Sequence, residues 1–192
     1  MDIAALDVYH WKELSFDLGD GVTLRRLRET AAATIFETVK KNEEHLHFMH
    51  WITPDYSLEM ADEFLERSSS AAEKGESLGF GIFRDDKFIG SIGFVYFDRQ
   101  ARKTEIGYWL DADEEGKGVI SKATRALIDW AIDVENINRV EIRCSTENIR
   151  SAAVPKRLGF TLEAHMRQSE FRHGKLVDFY VFGLLADEWK SK

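Results

Sequence analysis

The sequence is poor in several kinds of residue, and each shortage excludes a class of protein. Cys144 is the single cysteine among 192 residues, so no disulfide can form within the chain, which fits a reducing compartment. Two prolines and the absence of a low-complexity tract argue against a disordered protein. No apolar run approaches the length of a membrane span, so we expect no membrane association.

Positive charge is also outnumbered by negative charge. Lysine and arginine total 26 against 34 aspartate and glutamate residues, which gives a formal net charge of −8. This balance disfavours nucleic acids and anionic membranes, because both are bound through clustered basic residues. It mildly favours a cationic partner such as an amine, although solubility alone would explain it. The N-terminal residues show no basic start followed by an apolar stretch, so we expect a cytoplasmic protein.

The residues that are present suit one globular domain. A chain of 192 residues fits one α/β core, and 13 Phe and 5 Trp can fill it. We place an N-terminal extension at residues 1–19 and a single domain at residues 20–192.

The period of the apolar residues changes along the chain and predicts its secondary structure. In chain order the pattern predicts a strand at 22–27, helices at 31–44 and 57–73, strands at 80–83, 88–97 and 104–110, a helix over 120–134, a strand at 139–146, a helix at 149–158, and strands at 161–171 and 176–185. This is a β-meander, a βαβ unit, a helix and a terminal hairpin. The order predicts a mixed sheet in one α+β domain.

A turn with two glycines, Gly116 and Gly118, joins a strand to a helix and is the segment with the clearest chemical meaning. The first amides of a helix have no partner within it, and glycine lets a ligand approach them closely. With the positive end of the helix dipole they form an anion site suited to a pyrophosphate, and Lys117 adds charge. Such a turn is also common without any ligand. The Walker ending is absent, and the antiparallel strands before the glycines argue against a dinucleotide fold.

Four stretches of sequence, NEEHL at 42–46, EIGYWL at 105–110, EGKGVIS at 115–121 and NIRS at 148–151, share their order and spacing with a known family. Together they resemble the GCN5-related N-acetyltransferase (GNAT) superfamily. The resemblance is greatest to its ribosomal-protein-serine branch, the RimJ/RimL type. It spans residues 21–185, nearly the whole chain.

Three residues depart from the pattern of that family. Glu115 stands where Gln or Arg is preferred and brings a negative charge near the expected phosphate. Ile120 stands where Gly or Ala is usual, although the branch often tolerates an aliphatic residue. Pro155 falls inside the predicted helix at 149–158, where it would remove a backbone hydrogen bond and bend the helix.

The resemblance implies a single-domain GNAT-like fold, in which a strongly twisted mixed sheet is flanked by helices and splayed between strands four and five, here 104–110 and 139–146. It also implies acetyl-CoA as co-substrate, no metal, and a pantetheine arm that pairs with the backbone after Gly107. Many relatives are dimers, so we expect a homodimer. The residues expected to contact the coenzyme are Trp109, Leu110, Gly116, Lys117, Gly118, Val119, Ile120, Ser121, Asn148 and Ser151.

Acyl transfer from a thioester to an amine needs a base for the amine and a proton donor for the leaving thiolate, but no enzyme nucleophile. The resemblance makes Glu105 and Glu170 candidate bases that act through water, and Ser151 the candidate donor to the sulfur. The alternatives are a solvent-facing strand carboxylate for Glu105, an exposed hairpin charge for Glu170 and a helix cap for Ser151. Tyr108 and Tyr180 are other possible donors, although core tyrosines with satisfied hydroxyls are the simpler interpretation.

Two further features are better explained by structure than by chemistry. Cys144 alternates with its neighbours like a buried strand residue, which argues against a nucleophile. His45, His47 and His50 match no standard metal-ligand spacing, and they could instead border an amine pocket with Trp51.

The sequence therefore predicts an N-acetyltransferase that moves the acetyl group of acetyl-CoA to a primary amine. The favoured acceptor is the α-amine of a protein or peptide N-terminus, because its pKa of about 7.7–8.0 demands less of a base than the pKa of about 10.4 of lysine. A small-molecule amine, such as an amino sugar, a polyamine or an amino-acid derivative, is the runner-up. The rival from another class is a non-catalytic acyl-CoA sensor, which would bind the coenzyme without turnover.

Overall fold

The fold is built on one mixed sheet of eight strands. The computed structural model describes residues 11–49 and 51–191. The strands are β1 (Phe16–Asp17), β2 (Val22–Arg26), β3 (Leu78–Arg84), β4 (Lys87–Asp98), β5 (Lys103–Leu110), β6 (Arg139–Ser145), β7 (Thr161–Arg172) and β8 (Lys175–Leu185). Their order across the sheet is β1-β2-β3-β4-β5-β6-β8-β7, in which β5 and β6 run parallel and the other described neighbours are antiparallel. The predicted α+β fold is confirmed.

Helices cover the sheet. Those in the described residues are α1 (Ala32–Lys41), α2 (Leu58–Glu73), α3 (Val119–Asp133), α4 (Ile149–Leu158) and α5 (Ala186–Lys190). The predicted helix at 31–44 ends early, because the side chain of the buried Asn42 bonds the Thr38 carbonyl and accepts the Ala112 amide. Within the described part of the chain, no helix combines the length and apolarity needed to cross a membrane.

The core consists of two clusters on opposite faces of the sheet. The first contains Leu110 and packs against α3 and α4, whereas the second contains Trp109 and packs against α1 and α2. Neighbouring residues of a strand point to opposite faces, which explains why adjacent positions enter different clusters. Trp11 is 1% exposed and belongs to the first cluster, and Phe16 packs against it. The division into an extension at 1–19 and a domain from residue 20 stays a prediction.

The sheet opens between β5 and β6. These strands pair at three positions, from Lys103 with Arg139 to Glu105 with Glu141, and no pairing follows beyond that point. The neighbouring strand β4 carries an irregularity in its register next to this opening, between Phe94 and Tyr96. The predicted splay is confirmed, and it leaves backbone groups of two strands facing a gap.

Candidate active site

A cavity of about 1090 Å³ lies where β5 and β6 separate. Its wall includes residues from the start of α3, from α4 and from the connection between α1 and α2. Most of the residues predicted to contact the coenzyme line this cavity. They are Trp109, Leu110, Gly116, Gly118, Val119, Ile120, Ser121, Asn148 and Ser151. Lys117 is not on the wall, and its Nζ donates instead to Glu114 at 3.0 Å. The structure thus brings most of the predicted set together, although their contacts with a coenzyme stay a prediction.

The loop before α3 has the properties of an anion site. Gly116 and Gly118 have φ of 73° and 74°, and a Cβ at either position would meet no atom within 4 Å, so the backbone is open to a ligand. The first helical bond runs from the Lys122 amide to the Gly118 carbonyl, and among the described residues no acceptor is found for the amides of residues 116–121. Unpaired amides at the positive end of a helix fit a diphosphate.

Helix α4 starts beside this loop and brings a serine into the cavity. The Asn148 side chain accepts the Ser151 amide at 3.0 Å, so Asn148, and not Ser151, is the cap of the helix. The Ser151 hydroxyl lies 3.4 Å from the Tyr108 hydroxyl, which donates to the Ser151 carbonyl at 3.0 Å. That carbonyl needs an outside donor because Pro155, four residues later in the helix, has no amide hydrogen. The lost helical bond is therefore replaced by a tyrosine.

Two groups near Ser151 are poor acids because they are buried. Burial raises the pKa of the Tyr108 hydroxyl well above its usual range, although the Ser151 bond opposes it. Burial also raises the pKa of the Cys144 thiol to about 11, so this residue is a neutral thiol at pH 7. The prediction that Cys144 is a buried strand residue is confirmed, since it is 5% exposed.

Glu105 lies on the cavity wall where β5 and β6 part. Its carboxylate makes no hydrogen bond or ion pair with the described residues. Burial raises the pKa of this carboxyl, Arg143 opposes the rise, and Glu141 and Glu170 add to it. A carboxylate with a raised pKa is a stronger base than a solvated one, and its position allows it to act on a group in the cavity.

The carboxylate of Glu170, in contrast to that of Glu105, is held by an ion pair. Arg172, two residues further along β7, donates to its Oε2 from both Nε, at 2.9 Å, and Nη2. The same guanidinium donates to the Phe48 carbonyl at 2.9 Å and lies 4.6 Å from the centre of the Phe179 ring. Arg172 lines the cavity, whereas Glu170 does not. Sequence reasoning missed Arg172, although opposite charges at i and i+2 of a strand share a face and could have indicated the pair.

A second cavity of about 350 Å³ shares Phe48, Ser145 and Arg172 with the first. It lies between the α1–α2 connection and the hairpin of β7 and β8, near an ion pair of Lys175 and Glu147 at 3.1 Å. The two cavities are therefore neighbours that share part of one wall.

The histidines that could border an amine pocket are divided between the two cavities where the structure describes them. His45 and Trp51 line the main cavity, and His47 lines the second. His50 lies outside the described residues. Across residues 11–49 and 51–191, no group of three histidine, cysteine or acidic side chains could hold a metal ion.

Comparison with known proteins identifies chains that are similar over most of the length of this one. Residues 22–161 match the acetyltransferase (GNAT) domain family. The chain is 31% identical to the uncharacterized N-acetyltransferase p20 of Bacillus licheniformis, covering 88% of this chain and 94% of that one. It is 28% identical to the ribosomal-protein-serine acetyltransferase of Escherichia coli (strain K12), covering 88% and 96%.

A solved structure has the same fold. It is RimL, a ribosomal L7/L12 alpha-N-protein acetyltransferase in complex with coenzyme A, and it superposes with a TM-score of 0.86. The two chains are 26% identical, and the match covers 91% of this chain and 99% of that one.

Proposed function

We propose an acceptor and a set of catalytic residues from one premise: the chain belongs to the acetyltransferase (GNAT) domain family. The protein is an acetyl-CoA-dependent N-acetyltransferase. Its acceptor, in this proposal, is the α-amine of a protein or peptide N-terminus. Acetyl-CoA supplies a thioester carbonyl and a thiol leaving group, so the protein must bind it, free the amine of its proton and protonate the departing sulfur.

The coenzyme is held mainly by the backbone in this proposal. The amides of residues 116–121 take the diphosphate at the start of α3, because they are unpaired and the helix dipole favours an anion there. Arg150 and Arg157 line the same cavity and add positive charge. Asn148 uses its oxygen for the Ser151 amide, which leaves its side-chain NH₂ for the pantetheine arm.

Glu105 is the base. It accepts the proton of the amine through a water molecule, since its carboxylate is on the cavity wall, has no competing partner among the described residues and has a raised pKa. Glu170 fits this role less well, because Arg172 occupies its carboxylate with two donors. We assign Glu170 and Arg172 instead to positioning the wall at Phe48.

Ser151 donates a hydrogen bond to the leaving sulfur, and the proton that this sulfur takes up is the one that the attacking nitrogen loses as the amide forms. The Ser151 hydroxyl makes a long contact of 3.4 Å with Tyr108, which is easily exchanged for a better acceptor. The Tyr108 proton is already given to the Ser151 carbonyl, and burial makes that hydroxyl a weak acid. Tyr108 therefore holds the start of α4, while Ser151 faces the reaction.

The observation that carries the α-amine proposal is the second cavity beyond Phe48 and Arg172. This second cavity has room for the residues that follow the amine of a peptide bound in the active site. A small amine has no such residues and would not need this space. Similarity to a ribosomal-protein-serine acetyltransferase supports the same acceptor class. A single carboxylate base also suits an α-amine, which is partly neutral at pH 7, better than a lysine.

The test uses pairs of synthetic peptides that begin with Ser, Ala or Met and carry one internal lysine. One member of each pair has a free N-terminus and the other an N-formyl group; spermine and glucosamine serve as small-amine probes. We expect thiol release from acetyl-CoA with the free peptides only, and fragment mass spectra that place the acetyl group on the α-nitrogen. Acetylation of lysine or of the small amines alone would contradict the acceptor, and binding without any turnover would support the sensor.

A further inference from the structure

A role in binding an anion does not explain why residue 115 is the acidic Glu115. Glu115 precedes Gly116 directly, so its negative charge stands beside the amides that take the diphosphate. Its two oxygens have different partners. Oε2 accepts from Arg150 on α4 at 3.1 Å, and Oε1 lies 3.3 Å from Nε2 of His45 in the α1–α2 connection. The carboxylate thus joins three segments that are far apart in sequence.

The segment that carries His45 begins at a rigid anchor. At the end of α1, Lys41 donates to the buried Asp111 at 2.8 Å and to Asp113 at 2.6 Å. The neighbouring Asn42 accepts the Ala112 amide at 2.9 Å. The start of residues 42–49 is therefore bonded to residues 111–113, which lead into the glycine loop. These bonds fix the start of the segment relative to that loop.

Residues 42–49 also reach the other end of the cavity. Leu46, Phe48 and Met49 line it, and the Phe48 carbonyl accepts from Arg172 of the β7–β8 hairpin. This is the wall that we assign to the acceptor amine. One short segment hence connects the coenzyme loop, through His45 and Glu115, with the acceptor side.

We propose that Glu115 is a positioning residue that couples binding of the coenzyme diphosphate to the placement of residues 42–49. A diphosphate at residues 116–121 competes with Glu115 for Arg150, because a doubly charged group attracts the guanidinium more strongly. Glu115 then keeps His45 as its partner and holds residues 42–49 against the loop. The coupling rests on the proposed acceptor side, but not on which amine is acetylated.

The charges around His45 support this direction of coupling. His45 faces Glu115, Arg150, Asp111 and His47, and burial together with Arg150 and His47 lowers its pKa, while Glu115 and Asp111 oppose this. Movement of Arg150 toward a phosphate removes one of the cations that disfavour the imidazolium. The arriving anion favours it further, so the contact between His45 and Glu115 strengthens when the coenzyme binds. Coupling of this kind is reciprocal, so a bound acceptor would also tighten coenzyme binding.

The first variant to test is Glu115→Gln. We expect acetyl-CoA to bind as tightly as in the wild type or up to about tenfold more tightly by calorimetry, because a negative charge is removed and Arg150 is released. Hydrogen exchange should show that coenzyme A protects residues 42–49 in the wild type and leaves them unprotected in the variant. With an active peptide, its KM should rise by about 5- to 20-fold, a typical size for coupling between two sites.

Two further variants make the result decisive. Glu44→Gln removes the same charge from an exposed residue of the same segment, and it should keep the protection by coenzyme A. His45→Gln should lose the protection and bind acetyl-CoA less tightly than the wild type, because the contact that strengthens on coenzyme binding is removed. Tighter coenzyme binding in Glu115→Gln with protection intact would overturn the proposal, because Glu115 would then only repel phosphate. Weaker coenzyme binding with a lowered Tm would also overturn it, since Glu115 would then only hold the loop together.

These readouts separate the coupling from the proposed acceptor. Calorimetry and hydrogen exchange need coenzyme A alone. If the peptides prove to be poor acceptors while residues 42–49 are protected as expected, the proposed α-amine acceptor is wrong, but the proposed coupling is supported. If α-amines are acetylated and no protection is seen in the wild type, the coupling is wrong.

Discussion

In the proposed arrangement, the two sides of the cavity recognise their ligands by different means. On the coenzyme side, residues 116–121 offer main-chain amides and the start of α3. On the acceptor side, residues 42–49 and the hairpin at 172–177 offer side chains such as Phe48 and Arg172. A main-chain site tolerates substitutions, because each residue except proline supplies the same N–H. We therefore expect coenzyme recognition to survive sequence divergence, and acceptor recognition to change with it.

The largest effect should come from the base on the acceptor side. Glu105→Gln should lower kcat by about 100-fold or more, since general bases contribute about 10²–10⁴. The Kd for acetyl-CoA should stay unchanged by calorimetry. Glu170→Gln is the matched control, and it should cost much less because Arg172 already neutralises that carboxylate. A greater loss of kcat in Glu170→Gln would move the base to β7.

The pH profile gives an independent check of the same residue. Burial raises the pKa of Glu105. In the proposed mechanism, the amine is deprotonated only when this carboxyl is ionised. The kcat/KM of the wild type should therefore fall as the pH drops through this raised pKa, above the usual value of about 4.3. The residual activity of Glu105→Gln should lack this acid limb.

The next effect concerns the coenzyme side. Gly118→Asp should weaken acetyl-CoA binding by about 10- to 100-fold, because a carboxylate enters the phosphate site and a non-glycine residue at φ of 74° is strained. Gly118→Ala separates the two causes, since its Cβ meets no atom within 4 Å and carries no charge. It should lower stability more than affinity. An unchanged Kd in Gly118→Asp would refute the assignment of the diphosphate to this loop.

A smaller effect should confirm that the acceptor side depends on side chains. Arg172→Met keeps the aliphatic length but frees Glu170 and the Phe48 carbonyl. The KM of a peptide acceptor should rise by about tenfold, the equivalent of a lost charged hydrogen bond. The Kd for acetyl-CoA should not change. Arg167→Met, on the exposed part of β7, is the control and should leave both values unchanged; a raised Kd for acetyl-CoA in Arg172→Met would show that the two sides are not separable.

The smallest effect tests the tyrosine that replaces a helical bond. Tyr108→Phe leaves the Ser151 carbonyl without a donor and should lower the free energy of unfolding by about 1 kcal/mol in urea denaturation. In a Pro155→Ala background the loss should be smaller, because the alanine has a backbone amide that can supply the helical bond. Equal losses in both backgrounds would mean that Pro155 does not create the need for Tyr108.

Local patterns in the sequence were enough to predict most of the fold. The helix at Ile149–Leu158 was predicted with its bounds, since an Asn cap and the C-terminal Gly159 are local signals. The short strand at Phe16–Asp17 and the helix at Ala186–Lys190 were not predicted, because two to five residues show no period. The burial of Trp11 was also missed, since nothing nearby in sequence indicates its contact with the core.

The candidate site also contains features that the sequence could identify and features that it could not. The glycine loop and Ser151 could be found because their residue types and spacing are contiguous in sequence. The salt bridge from Lys41 to Asp111 could not, because its partners are 70 residues apart and meet only through packing. The sequence also could not show which of Glu105 and Glu170 is better suited to be the base. That choice depends on the burial of Glu105 and on the ion pair between Glu170 and Arg172.

Sequence patterns alone were sufficient to establish the fold class, the loop of amides before α3 and the family, because short-range patterns specify main-chain geometry. The three-dimensional arrangement was needed to establish which glutamate is free in the cavity, why Tyr108 bonds the Ser151 carbonyl and what neutralises Glu115. These depend on distances between side chains from separate segments. Such distances are set by packing across the sheet, and no local pattern contains them.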